Sequence, residues 1–243
     1  KNGAEINAVS KVSKYTPLLE ALKEGHENCA RYLLDKGADI QVIGSDKNTP
    51  IMYAIGMDMP KIAAELISKG CDIQTKAKGG ISTWLGSILK AHTQSVNELI
   101  KRGVKINETD SEGNTAPFYC TTKGHVEVLT RLVKKGINVN HRNKSGETAL
   151  VSLANYENVS IDIAKILIQT SDNIDTKDND GGTALLYAAA NGNINLVKIL
   201  VENGADINAE FGDNLGSALQ QAILNVHSDI SIFLIENGAN VLA

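Results

Sequence analysis

A hydroxyl residue recurs along this chain at Thr16, Thr49, Ser82, Thr115, Thr148, Thr183 and Ser217, with spacings of 33, 33, 33, 33, 35 and 34. Periods of this length are the signature of arrays built from one small unit, and they constrain the fold before any secondary structure is assigned. A second column keeps step with the first. Glycine follows the hydroxyl by 21 residues at Gly37, Gly70, Gly103, Gly136, Gly204 and Gly238. The fifth unit departs from it, with Ser171 in the slot after a two-residue insertion near NYENVS. Gly3 matches the end of a further, earlier unit.

Both columns have mechanical meanings. Ser or Thr ahead of an apolar run is a preferred N-cap, because its side-chain oxygen accepts from an otherwise unpaired N–H. Pro17 and Pro50 follow at once, where proline removes no helical hydrogen bond. The glycine suits the left-handed residue that ends a helix. Between start and stop lies a break, at Gly25-His26, Gly124-His125 or Gly192-Asn193, so each unit holds two short helices. Turn residues fill the interval to the next hydroxyl, as in DSEGN at 110–114 and NKSGE at 143–147. Helices this short are unstable alone. Apolar pairs at one height (Leu33 and Leu34, Leu66 and Ile67, Leu132 and Val133, Leu200 and Val201) predict that stacking against neighbours supplies the core.

The pattern DxxGxTAL…GH…LLxxGADIN resembles the ankyrin repeat, and TKDNDGGTALLYAAANGNINLVKILVENGADIN in the sixth unit matches it best. The resemblance runs over residues 8–243. It implies an all-α fold: an ankyrin-repeat solenoid of helix–turn–helix units joined by β-hairpin-like loops. One domain, 1–243, would comprise repeats 8–41, 42–74, 75–107, 108–140, 141–175, 176–208 and 209–243, with 1–7 as the tail of a preceding repeat. Three departures stand out. The histidine usual after TPL is absent throughout, Trp84 replaces a leucine, and the fifth unit is irregular.

No catalytic constellation emerges, no metal site and no cofactor site, so the chain is expected not to be an enzyme. His26, His92, His125 and His227 share one column. Neighbouring repeats pack helices about 8–10 Å apart, whereas zinc needs ligand nitrogens at about 2 Å, so an interhelical hydrogen bond is the better expectation. His141 falls in a turn as a surface contact. Cys29, Cys71 and Cys120 occupy three different columns and are expected to pack as small hydrophobes. Glu108, Asp110 and Glu112 are expected as solvated turn residues.

Composition bounds the partner. With 24 basic and 28 acidic residues the net charge is −4, which argues against nucleic acid. No apolar run approaches the roughly 20 residues needed to cross a bilayer, so no membrane partner is expected. An odd cysteine count without short spacings suggests a reducing, intracellular setting, the cytoplasm foremost.

The resemblance implies binding of another protein through a concave face made of hairpin tips and first helices. Positions there vary from unit to unit while the core columns do not. Met57, Leu89 and Tyr156 are anchors of the kind found at interface centres. Lys23, Lys90 and Lys123 stand among them, and Lys78 and Lys144 add charge from the turns. The expected partner has an acidic and apolar surface, docked across the second to fifth units of a monomer. Two alternatives remain open. One is a targeting segment of a larger enzyme or effector, since both ends look like cuts through an array. The other is a small-ligand sensor, for which Trp84 and the irregular fifth unit are the places to look.

Overall fold

The hydroxyl column starts helices where expected. The computed structural model describes residues 5–212 and 216–241, with Lys78 described by its backbone alone. It falls into two compact units, Lys1–Ser111 and Glu112–Ala243.

The first unit holds three helix pairs: α1 (Pro17–Lys23) and α2 (Glu27–Asp35), α3 (Pro50–Gly56) and α4 (Pro60–Ser68), α5 (Thr83–Leu89) and α6 (Thr93–Lys101). The second holds four: α7 (Ala116–Lys123) and α8 (Val126–Lys134), α9 (Ala149–Ala154) and α10 (Ile161–Thr170), α11 (Ala184–Ala190) and α12 (Ile194–Glu202), α13 (Ala218–Leu224) and α14 (Ser228–Glu236). Within each unit, first helices pack on first helices and second on second, as in α1–α3–α5 and α8–α10–α12–α14. No strand forms among the described residues. The turns between repeats are tight loops, closed by bonds such as Gly44 N–H to Asn48 O (2.8 Å) and Asn143 N–H to Glu147 O (3.0 Å). Isolated bridges at Lys76–Ser82 and Glu210–Ser217 are their strand-like element.

All seven hydroxyl residues are N-caps with extended backbone, but they cap in two ways. Thr16, Ser82, Thr148, Thr183 and Ser217 accept the N–H three residues on. The Oγ1 atoms of Thr49 and Thr115 are buried with no partner among the described residues. At the other end, Gly70 sits at φ 87°. Its N–H bonds Ile67 O (3.0 Å), and Cys71 N–H reaches back to Leu66 O (3.1 Å). This is the left-handed stop that satisfies terminal carbonyls. Where Ser171 replaces the glycine, α10 ends instead on an extended residue, φ −76° and ψ 139°.

In six of the seven pairs the break also uses a left-handed residue, nine positions after the hydroxyl; the fifth pair, with its insertion, has none over residues 155–160. Gly25, Gly124 and Gly192 fill it comfortably, whereas Asp58, Ala91 and Val226 (φ 59°, 51° and 62°) are held there against their own sterics.

Stacking buries the predicted columns. Leu34, Leu66, Ile67, Leu132 and Leu200 are at most 3% exposed, while Leu33, Val133 and Val201 are half-buried. Burying one such side chain contributes about 1.5–3 kcal/mol, so each short helix is held by its neighbours and not by its own propensity.

Polar ladders tie the turns together. In the first unit Gln41 Oε1 accepts from Asp72 N–H (3.0 Å), and Ser111 N–H donates to Gly79 O (3.0 Å). In the second, Asn140 Oδ1 accepts from Asp172 N–H (3.1 Å), and Asn208 Oδ1 from Asn240 N–H (2.7 Å).

Candidate binding face and cavities

The residues proposed for partner contact lie where first helices end and turns begin. In the first unit, Lys23 is exposed at the end of α1, its Nζ 4.8 Å from the centroid of the Tyr15 ring. Tyr15 stacks edge-on against Tyr53, whose hydroxyl donates to Asp46. Burial raises the Asp46 carboxyl, but hydrogen bonds from Tyr53 and Asn48 outweigh it and hold the group below the usual carboxylate range. Met57, 47% exposed, caps α3 and rests against Gly25. Leu89 is half-buried at the end of α5 and Lys90 is exposed just beyond it. The side chain of Lys78 lies outside the described residues.

The second unit places Lys123 exposed at the end of α7 and Lys144 exposed at a turn, where its N–H bonds Glu112 O (3.0 Å). Tyr156, 40% exposed, lies 3.4 Å by its hydroxyl from Thr122 Oγ1. The two residues border a depression of about 120 Å³ with Asn114 and Phe118.

Leu89 and Lys90 share a cavity of about 170 Å³ that sequence reasoning did not find. Met52, Ile55 and Gly56 of α3 form one wall, Ala77 and Ile81 of the turn another, and Thr83, Gly86 and Leu89 of α5 the third. The lining is almost wholly apolar, with Lys90 at the edge. A signal for it was present in the columns. Four residues after the hydroxyl stand Glu20, Tyr53, Gly86, Tyr119, Ser152, Tyr187 and Gln221, so the third repeat alone has no side chain there. One residue after the hydroxyl, Pro or Ala fills every unit but the third, which has Thr83. Met57 does not line this cavity.

A second cleft, about 490 Å³, opens beside the fifth-repeat insertion between 157–161 and 192–196. Glu157 is its sole charged lining residue, and the rest are small, apolar or amide side chains. Such a site offers no cation for a phosphate.

The histidine column is structural where its bonds are seen. His92, 2% exposed, donates from Nε2 to Asp58 Oδ1 (2.8 Å). That bond is the main reason the Asp58 carboxyl sits below its usual value, with the charges of His92 and Lys90 adding to it. His227 donates to Ala190 O (3.0 Å) and packs against Gly192. His26 is exposed.

Several expectations need correction. His141 is half-buried and donates to Gly113 O (2.9 Å), tying one turn to the next. Cys71 and Cys120 are buried, but Cys29 is exposed on α2. Glu108 is not merely solvated, since it accepts the Ser82 hydroxyl. Trp84 is fully buried, with Nε1 donating to Ile106 O (3.1 Å), so it is a core residue, and it borders none of the three cavities described above.

Among the described residues no group of three or more metal-ligating side chains converges, and no helix is long and apolar enough to cross a membrane. A family model described as ankyrin repeats matches the chain in three copies, over residues 2–77, 87–178 and 152–243. No curated protein matches it.

Proposed function

Since the chain belongs to the ankyrin-repeat family, whose general role is protein–protein interaction, we propose that it is a binding scaffold that engages a partner through its first helices and turns. The observation that carries this reading is the contrast between frame and face. Caps, stops and core columns repeat, while Lys23, Met57, Leu89, Lys90, Lys123, Lys144 and Tyr156 break the period at exposed or half-exposed positions. Side chains that the fold does not dictate are free to be set by a partner. A partner with an acidic patch and an apolar element suits the mix of lysines with Met57, Leu89 and Tyr156. The net charge of −4 weighs against nucleic acid.

The 490 Å³ cleft does not favour a nucleotide sensor, because its lining carries a carboxylate and no cation. The titratable groups whose bonds are seen, such as Asp46, Asp58, His92 and Asp178, serve turns and repeat-to-repeat contacts.

The test treats the two units separately. The full chain and its Lys90→Glu and Lys123→Glu variants are immobilised and used to capture proteins from the native source. A protein retained by the parent and lost from either variant supports the reading. Equal retention by all three sinks it.

A further inference from the structure

We infer that the 170 Å³ cavity between α3, α5 and the turn ahead of α5 is an anchor pocket. It takes one aliphatic side chain from an acidic, extended peptide segment of the partner. The inference rests on the scaffold reading and deepens it.

Three features define the occupant. The first is size and polarity. An apolar cavity of roughly 150 Å³ holds a benzene-sized group, whereas whole small-molecule sites run to about 300–1,000 Å³. One leucine-sized side chain is the scale that fits. Gly86 lines the pocket without a side chain and lets α3 approach closely: a Cβ there would stand 3.3 Å from Ile55 Cγ2, tighter than ordinary contact, and 3.8 Å from Ile81 Cγ2. Those two methyl groups mark the walls that an inserted group would touch.

The second is Thr83. It is 3% exposed, it lines the cavity, and its Oγ1 has no hydrogen-bond partner among the described residues. A buried, unpaired hydroxyl is costly. A hydrocarbon chain would leave it unpaired, but a peptide brings carbonyl and N–H groups within two bonds of every side-chain root. The third is Lys90 at the edge, exposed and without a salt bridge among the described residues. Asp58, the acid that feels its charge, is already bonded to His92. A carboxylate flanking the anchor residue would complement this ammonium, which is why the segment is acidic.

The probe is the acetylated, amidated pentapeptide Glu-Asp-Leu-Asp-Glu, titrated into the ¹⁵N-labelled full chain, with its Leu-to-Ala counterpart as control. The leucine peptide should give saturable shifts centred on Thr83, Gly86 and Leu89. The alanine peptide should bind at least about tenfold more weakly, as loss of a buried leucine side chain implies. Gly86→Leu fills the pocket from within and should abolish the shifts, and Thr83→Ala should weaken them about fivefold. Circular dichroism and the melting temperature check each variant. Gly86→Ala, which narrows the pocket by one methyl, carries the comparison if Gly86→Leu alters the fold. Equal binding of both peptides, or undiminished binding to the filled variant, overturns the pocket. So does a response to octanoate without one to the peptide, which would mark a lipid-type ligand. The scaffold reading fails separately. A captured protein lost from Lys90→Glu but kept by Gly86→Leu leaves the face standing and removes the pocket, whereas equal retention by the charge variants removes the face.

Discussion

Thr115 and Thr183 occupy one column, share one backbone conformation (φ −100° and −102°) and are both fully buried, yet replacing each by valine should have opposite effects. Valine keeps the shape and removes only the hydroxyl. Thr183 Oγ1 accepts from Leu186 N–H at 3.4 Å, so Thr183→Val strands a buried donor. Losing such a cap costs about 0.5–2 kcal/mol, and the long bond places this one near 1. In the fourth repeat the first turn is tighter. Phe118 N–H bonds the Thr115 backbone carbonyl at 3.1 Å, which leaves Oγ1 with nothing to do. Thr115→Val removes an unpaired buried hydroxyl and should stabilise by up to about 1 kcal/mol. The predicted gap is about 2 kcal/mol. Urea unfolding followed by circular dichroism reads it as a difference in midpoint. The slopes must match the parent, because arrays can lose two-state behaviour. If Thr115→Val loses as much stability as Thr183→Val, the hydroxyl column acts through something other than capping.

Native thiol titration should show one fast-reacting cysteine, the exposed Cys29. Burial raises the Cys71 thiol to about 11 despite the nearby Arg102 charge, and burial alone raises Cys120 to about 12, so a second fast thiol would contradict the packing. Val226→Gly should raise the melting temperature, since a β-branched residue at φ 62° gives up roughly 1 kcal/mol to strain that glycine avoids; an unchanged or lower value argues against strain there. Asp58 titrates below its unfolded value of about 3.9 because His92 bonds it, so its contribution is complete above that pH and lost as pH falls through the lower folded value. Asp58→Asn should therefore be less stable than the parent near pH 7, with the gap closing below about pH 4. A gap independent of pH would remove the carboxylate from the account.

Local chemistry at a fixed spacing made the repeat frame legible. A cap, a left-handed stop and an apolar stripe are each defined by a few adjacent residues, and repetition multiplied a weak signal seven times. The bonds that cross from repeat to repeat were less accessible. Trp84 looked like an oddity on the chain, but in the folded unit it is a core residue whose indole N–H reaches Ile106 O. Cys29 shows the converse error. Its type suggests burial, yet it is exposed on α2, and only the stack reveals which side of a short helix is covered.

The cavity at Leu89 was hidden for a further reason: it is made of absences. Reading candidate sites by searching for charged or aromatic residues finds Lys90 and passes over Gly86 and Thr83, since glycine looks like punctuation and threonine looks like a cap. In an array the informative comparison runs down the column. Where Tyr53 and Tyr187 each carry a ring tied to an aspartate in their own turn, Asp46 and Asp178, the third repeat carries no side chain, and its turn and helix line an apolar cavity. Where six repeats have Pro or Ala, the same repeat buries a hydroxyl without a partner among the described residues. Each change alone weakens local packing. Both occur in one repeat and line one cavity, beside an exposed lysine. A periodic fold thus supplies its own control, because six sister units show what the third would look like if packing were all it had to satisfy.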